Sequence, residues 1–397
     1  MMPDVFSRRL TWDLTPNALT LAIERRRARG DALLDLTGSN PTAAGLPIAG
    51  GEILAALGDP EALVYRPDPR GLPSAREALA AWLGRDGRRV SPERLFLSSS
   101  TSEAYGWLFE LLADPGDAIL TPTPSYPLFE YLAGRAGLVL RPWRLEYDGR
   151  WNIDRASVLD AARAGARAIV AIHPNNPTGS FLSNGDLAFL AETAGRDLAL
   201  ISDEVFVDFA LTEAPGRAPT ALAQERCLTF VLGGLSKAAG LPQMKLAWIV
   251  VGGPDDLVEQ AIARLELIAD SVLSPSAPIQ HALPRILALI PAFQAAARAR
   301  LRANLAVAAR VFAPPAAASL LPVEGGWTLP LRLPAVHTGE QWAIQLVDDE
   351  GILVQPGYFY DFEGEAFVVV SLLTPELDFA AGLSRLRAAV DRSIIPT

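Results

Sequence analysis

The chain has 397 residues, half of them hydrophobic, and 45 acidic against 35 basic side chains give it a net charge of −10. That length supplies a large core for two or three domains of ordinary size without a disulfide or metal staple, and the single cysteine, Cys227, excludes an intrachain disulfide framework. A pI of about 5.0 is the opposite of the broad positive field that non-specific nucleic-acid or anionic-membrane binding requires, so neither partner is expected.

No uninterrupted apolar run approaches the ~20 residues of a membrane span. Residues 1–9 contain no apolar signal segment behind their charges, and the expectation is a cytoplasmic protein. Only two of the 35 basic residues are lysines, Lys237 and Lys245. Any chemistry that demands a side-chain amine therefore has two candidates.

The opening 45 or so residues read as a helix, with Arg25, Arg26, Arg27 and Arg29 at its solvated end, and then as loop. They are too few for a core of their own. From about residue 90 to 252, short apolar runs alternate with longer amphipathic ones. The spacing predicts strands at 94–97, 118–121, 138–141, 168–172, 198–202, 228–232 and 246–251, with helices such as 102–113, 127–134 and 184–195 between them. Strands separated by helices imply crossover connections and a mostly parallel sheet.

Past Gly253 come long alanine-, leucine- and arginine-rich helical stretches at 255–269 and 276–312, the second expected to bend or break at Pro284 and Pro291. Strand-like runs at 327–333, 352–354 and 367–372 and a last helix at 375–392 follow. The expected fold is α/β: a mostly parallel seven-stranded sheet sandwiched by helices in a large domain (46–275), with a smaller α+β domain (276–397) that the N-terminal segment (1–45) joins.

Four segments carry candidate chemistry. Leu97 to Ala104 places hydroxyls and free backbone N–H groups where a strand gives way to a helix, and reads either as an N-cap with a serine-rich turn or as an anion cradle. His173 to Gly179, containing Asn175-Asn176-Pro177-Thr178-Gly179, is a good turn at a strand's carboxyl end, where open α/β sheets bind ligands; His173 itself reads as a satisfied strand-end residue. Asp203-Glu204 closes the next strand. Gly233-Gly234-Leu235-Ser236-Lys237 follows another and holds one of the two lysines.

Together, in this order, the four resemble the pyridoxal-phosphate-dependent aminotransferases of class I/II, fold type I, the aspartate aminotransferase superfamily. The spacings of 27 residues from Asn176 to Asp203 and 34 from Asp203 to Lys237 are similar to that family's, and the resemblance runs from Leu36-Thr37-Gly38-Ser39-Asn40-Pro41 to Ser371-Leu372-Leu373-Thr374-Pro375. It implies a large domain that binds pyridoxal 5'-phosphate. Lys237 would be the Schiff-base lysine and proton carrier, and Asp203 the carboxylate that keeps the pyridine nitrogen protonated. Asn176 would bond the phenolic oxygen, and Tyr126 would stack on the ring. The phosphate would sit on the amides of Ser100, Thr101 and Ser102 beside Ser236. Tyr65 matches the tyrosine that reaches the neighbouring subunit's phosphate, which implies a homodimer with shared sites. The activity implied is transfer of an amino group between an amino acid and a 2-oxo acid.

The departures bear on substrate. Lys245 stands where the family has a phosphate-binding arginine, and offers a point charge in place of a bidentate fork. Phe206 replaces the tyrosine that donates to the phenolic oxygen, so the Schiff base is expected to keep its proton to higher pH than in relatives with tyrosine. Ser100 and Gly234 stand where glycine and serine are usual. Val369, in Val368-Val369-Val370-Ser371, occupies the place of the arginine that holds the substrate carboxylate. Arg332 is the expected substitute, with the Gly38 N–H as a second contact. Asp270, in the loop 269–275, reads either as a contact to a cationic or hydroxylated side chain or as a cap of the next helix. Tyr358-Phe359-Tyr360-Asp361 reads either as an aromatic wall or as a packed cluster.

The same cofactor machinery serves a C–S β-eliminating lyase, a decarboxylase or a synthase, because substrate orientation selects the bond that breaks; the missing arginine keeps these alternatives open. A non-enzymatic ligand sensor of the same fold is disfavoured by the acidic charge.

Overall fold

The computed structural model describes residues 5–10, 12–273, 275–364 and 366–394. Residues 1–4, and Ser274 of the loop 269–275, lie outside the described residues.

The strands in chain order are β1 (Leu34–Asp35), β2 (Leu95–Ser98), β3 (Ala118–Thr123), β4 (Val139–Tyr147), β5 (Trp151–Ile153), β6 (Ala168–Ile172) and β7 (Ala199–Asp203). They continue with β8 (Thr229–Gly234), β9 (Ala247–Gly252), β10 (Ser319–Leu320), β11 (Thr328–Arg332), β12 (Ile352–Leu353), β13 (Gln355–Pro356) and β14 (Phe367–Ser371). The central sheet has the order β2-β9-β8-β7-β6-β3-β4-β5. Its middle strands are continuous apolar runs such as Ala168–Ile172, buried at every residue, as a sheet covered on both faces requires.

All seven predicted strands are present, and an eighth, β5, extends the edge. β4 runs six residues further than 141 because Arg144 and Glu146 alternate with Trp143 and Leu145, a pattern suited to an edge, before a turn with Gly149 at φ +109° reverses the chain into β5.

Two apolar cores cover the faces of this sheet, one including Leu97, Leu120, Ile169 and Leu200, the other Phe96, Ile119, Val170 and Ile201. A third gathers Leu19, Ala22 and Leu36 from the N-terminal segment with Leu329, Val368, Val370, Phe379 and Leu386, and β1 pairs in parallel with β12. The smaller unit is thus built from both ends of the chain, around the sheet β10-β11-β14-β13.

The helix Ala277–Val311 connects the two, burying Ile279, Leu283 and Ile286 in one core and Phe293, Ala297 and Leu301 in the other. Its 35 residues make it about 52 Å long. Of the two outcomes expected at Pro284 and Pro291, a bend or a break, the break does not occur: the helix continues through both. Each proline forfeits a backbone hydrogen bond, at a cost of roughly 3 kcal/mol, but apolar side chains are buried on both sides of each, Leu283 and Ile286 about the first and Ile290 and Phe293 about the second, and offset it.

Candidate active site

The segments singled out in the sequence meet because their strands run the same way. β8, β7, β6, β3 and β4 are parallel. β9 is antiparallel to both β8 and β2, so β2 shares their direction. The carboxyl ends of β2, β3, β6, β7 and β8 therefore lie along one edge, where loops leave the sheet and ligands bind. A cavity of about 230 Å³ opens there, lined by Thr101, Tyr126, Asn176, Asp203, Phe206, Ser236 and Lys237 from that edge and by Trp327, Thr328, Gln355, Tyr360 and Ser371 from the smaller unit. It lies near the ~300 Å³ lower end of small-molecule sites.

Gly233 is fixed by close packing, since a Cβ there would lie 2.4 Å from Trp248 Nε1. The chain can then turn directly from β8 into the short helix Leu235–Ala238, which carries Lys237. The Lys237 amine lies 4.8 Å from the Trp327 ring centre and 5.3 Å from that of Phe206, and these two rings meet edge-on at 5.3 Å. Burial lowers its pKa from 10.5 to about 8, against the pull of Asp203.

Asp203, the last residue of β7, is 9% exposed. Its Oδ2 accepts from the Tyr105 hydroxyl at 3.1 Å and its Oδ1 from the Val205 amide at 3.2 Å. Burial raises its pKa to about 6, opposed by these bonds and by Lys237. Glu204 turns the other way: it accepts from Thr220 Oγ1 at 2.6 Å, the Ala221 amide at 2.8 Å and Ser202 Oγ at 3.0 Å, and burial raises its pKa to about 7. The acidic pair is thus divided, and Asp203 alone faces Lys237.

Thr328 Oγ1 donates to Asn176 Oδ1 at 3.3 Å or to the Pro177 carbonyl at 3.0 Å. The bond to Oδ1 leaves Asn176 Nδ2 as the donor presented to the cavity. At the helix Thr101–Leu112, Ser100 is the N-cap and accepts from the Glu103 amide at 3.1 Å; the amides of Thr101 and Ser102 then have no intrahelical acceptor. His173 is neutral and satisfied: Nε2 donates to the Ala218 carbonyl at 2.8 Å, Nδ1 accepts from the Leu182 amide at 3.0 Å, and burial lowers its pKa to about 4.

Other predicted site residues stand apart from the cavity. Ser100 and Ser102 flank Thr101 without lining it, and Gly38 is exposed between Thr37 and Ser39, which do. Lys245 is exposed at φ +52°. Tyr65 is 80% exposed and lines a surface groove with Leu63, Val64 and Leu273. Asp270 is the exposed last residue of the helix Asp255–Asp270 and does not cap the next helix, whose N-cap is Ser276.

Arg332 is the clearest difference from expectation. Thr328 and Arg332 occupy opposite ends of β11, about 13 Å apart at strand rise. Arg332 lines a second cavity with Tyr147, Trp151, Asn152, Phe362 and Phe367, its guanidinium 5.8 Å from the Tyr147 ring centre. Of the aromatic run, Tyr360 lines the Lys237 cavity, while Tyr358 is exposed and donates to Glu340 Oε1 at 3.4 Å.

Sequence reasoning missed Tyr105, Trp327, Thr328 and Gln355 as site residues. They lie on a helix flank, on short strands or, for Trp327, just ahead of one, and their local pattern is that of ordinary core. The one available signal was Gly325-Gly326 ahead of Trp327: a Cβ on Gly325 would lie 2.6 Å from Phe181 and 2.8 Å from the Phe209 carbonyl, a mark of close packing against the large unit.

A family model described as aminotransferase class I and II matches residues 48–378. The chain is 30% identical over 266 residues to alanine aminotransferase of Mycobacterium tuberculosis, covering 65% of this chain and 61% of that protein. It is 32% identical over 221 residues to S-alkyl-thiohydroximate lyase of Arabidopsis thaliana, covering 55% and 48%. The chain thus spans about half to three-fifths of the length of these curated relatives. Its fold matches that of alanine aminotransferase from Pyrococcus furiosus with a TM-score of 0.85 at 21% identity, covering 98% of this chain and 100% of that one.

Proposed function

The chain belongs to the class I and II aminotransferase family, whose members use pyridoxal phosphate, and we propose that it transfers an amino group between an amino-bearing substrate and a 2-oxo acid. The observation that carries this reading is the pairing of a partly buried amine with a buried carboxylate, Lys237 and Asp203, at adjacent strand ends of one cavity.

The residues fit the cofactor. Free amides and hydroxyls at Thr101 and Ser102, with Ser236 and the N-cap Ser100, suit a phosphate. Lys245 is assigned the phosphate's counter-charge, supported by Ala247, two residues on, which lines the cavity. Asp203 suits a protonated ring nitrogen, Asn176 Nδ2 a phenolic oxygen and Tyr126 a ring face. When bound, the cofactor supplies an aldehyde that condenses with amines and a protonated ring that accepts electrons.

The protein's part is to place protons. With a pKa of about 8, Lys237 is neutral in roughly a tenth of molecules at pH 7, far more than a solvated lysine, and its Nζ is suited to take a proton from one carbon and return it to another. With a pKa of about 6, Asp203 is mostly ionised at pH 7, and its carboxylate holds a partner's proton in place. Trp327 and Phe206 keep water from the amine.

A homodimer belongs to this reading. Leu63, Val64, Tyr65 and Leu273 are exposed along one groove, the apolar surface a second copy would cover, with Tyr65 directed to the partner's phosphate and Asp270 near the shared entrance. The division at about residues 45 and 275 and a cytoplasmic location complete it. No helix among the described residues is long and apolar enough to cross a membrane.

C–S β-elimination is the second reading, favoured by the similarity to the lyase. The test is to purify the protein, screen amines for loss of the cofactor's visible band, and analyse products. Conversion to the pyridoxamine form with a 2-oxo acid product supports transfer, whereas pyruvate with ammonia or thiol indicates elimination. No response to any amine rejects both.

A further inference from the structure

The second cavity, where Arg332 lies, is bounded by a closed circuit of side chains. Arg332 stands opposite Phe367 in the β11–β14 pairing. Phe367 stacks on Phe362 with ring centres 4.7 Å apart, Phe362 meets Trp151 edge-on at 5.9 Å, and Trp151 meets Tyr147 at 5.2 Å. The Arg332 guanidinium, 5.8 Å from the Tyr147 ring centre, closes the circuit. All five residues line one space of about 440 Å³, within the size range of small-molecule sites. Tyr147 and Trp151 belong to the β4–β5 hairpin of the large unit and the other three to the smaller unit, so a ligand here touches both. The Lys237 cavity is lined by a different set of residues, although Pro124 of this second cavity is only two residues ahead of Tyr126.

Charge in this cavity is divided. Arg332 is exposed and, among the described residues, forms no ion pair. Glu146, Asp148 and Glu363 line the same space, yet none of them reaches Arg332. Asp148 accepts from Asn152 Nδ2 at 2.8 Å. Glu146 pairs across the hairpin with Asn152, one position out of phase with the Tyr147–Trp151 pair, so it leaves the opposite face of the ribbon from those rings. Glu363, next in the chain to Phe362, remains as the unpaired carboxylate beside the aromatic circuit. Arg144, whose charge reaches Glu363, is bound to Asp154 at 2.7 Å. A free cation and a free anion at one aromatic box are complementary to a ligand that carries both charges and a ring.

We propose that this cavity is a second, non-reacting site that binds an aromatic α-amino acid, its carboxylate on Arg332, its ammonium at Glu363 and its ring among Tyr147, Trp151 and Phe362. The guanidinium fork matches a carboxylate in shape as well as charge. The surrounding rings offer edges and faces to a further ring, and their faces also favour a cation. Neither lysine of the chain lines this space, so the ligand is held there and not transformed.

The site goes beyond the aminotransferase reading and makes no use of the cofactor. Its probe is N,N-dimethylphenylalanine, a tertiary amine that keeps both charges and the ring but cannot condense with an aldehyde. Calorimetric titration of the cofactor-loaded protein is expected to show saturable binding at millimolar concentration or below. N-acetylphenylalanine, which lacks the positive charge, and N,N-dimethylphenethylamine, which lacks the carboxylate, should each bind roughly threefold more weakly or worse, a modest factor because both charges stay in contact with water. N,N-dimethylglycine, which lacks the ring, should bind more weakly by about tenfold or more. Arg332→Ala and Glu363→Gln, both at exposed positions, should each reproduce the loss of the matching charge, with circular dichroism reporting the fold. Absence of saturable binding, an analogue that binds as tightly as the probe, or unchanged binding in either folded variant overturns the proposal.

Discussion

The Tyr105 hydroxyl donates to Asp203 Oδ2 at 3.1 Å across 98 residues of chain, tying the helix behind β2 to the last residue of β7. Tyr105 is buried, packed edge-on against Phe129 at 5.3 Å, and its phenol is held protonated well above its usual range by burial and by the Asp203 charge. It therefore donates throughout the working range and favours the ionised carboxylate.

Tyr105→Phe removes a bond that lowers the Asp203 pKa, so that pKa rises above its value of about 6. The carboxylate then protonates at higher pH, and the acid limb of the kcat/KM profile moves upward. Loss of this buried charge-assisted bond makes the variant less stable by roughly 1–3 kcal/mol. An unmoved acid limb would show that Asp203 does not set it.

Lys237 gives a second test of sign. Its folded-state pKa is depressed from 10.5 to about 8, so its contribution to stability is fully present above pH 10.5 and lost as pH falls through about 8. In the apoprotein, aldehyde capture by Lys237 should increase about tenfold per pH unit below 8 and level off above it. A midpoint near 10.5 would mean that the amine is solvated. Lys237→Ala should abolish covalent cofactor attachment and lower kcat by about 10⁴-fold.

Phe206 is 8% exposed and lines the cavity beside Lys237. Phe206→Tyr adds a hydroxyl able to donate to the cofactor's phenolic oxygen, which stabilises the deprotonated Schiff base. An absorbance titration should show its pKa falling relative to wild type. A rise, or no change, would count against the expected role of this position.

Arg332→Ala tests the placement of that arginine in the second cavity. KM for the amine should stay within about twofold, as for surface substitutions distant from a site. A tenfold rise would return Arg332 to the substrate site.

Light scattering should give twice 42.4 kDa for the wild-type protein. Leu63, 90% exposed in the apolar groove with Tyr65, is the place to break such a pair. Leu63→Arg should yield monomer and weaken cofactor retention, and a wild-type monomer that retains cofactor would refute the shared site.

Much of the large unit was legible in the sequence because its signals are local. Apolar runs of five or six residues between amphipathic stretches mark buried parallel strands, and Lys237, Asp203, Asn176 and Thr101 sit at or just beyond their ends, where the fold class alone puts a ligand. That the Ala277–Val311 helix does not break was not legible, since propensity counts the prolines but not the apolar burial in two cores that offsets them. Nor was the position of Arg332: alternation correctly puts it on the face of Thr328, but only the strand's length and the aromatic residues between the cavities separate the two.

The sequence by itself determined which groups are available: two lysines, one aspartate at a strand end, phenylalanine at 206 and valine at 369. These are fixed by composition and by position along a strand, and folding does not alter them. Only the tertiary structure decided which of them meet and in what ionisation state. Burial against Trp327 and Phe206 lowers the lysine's pKa, and the turn of one residue sends Glu204 away from Asp203. Strand register brings Gln355 opposite Val369. Each depends on contacts between segments far apart in the chain, and desolvation and register exist only once those segments have packed.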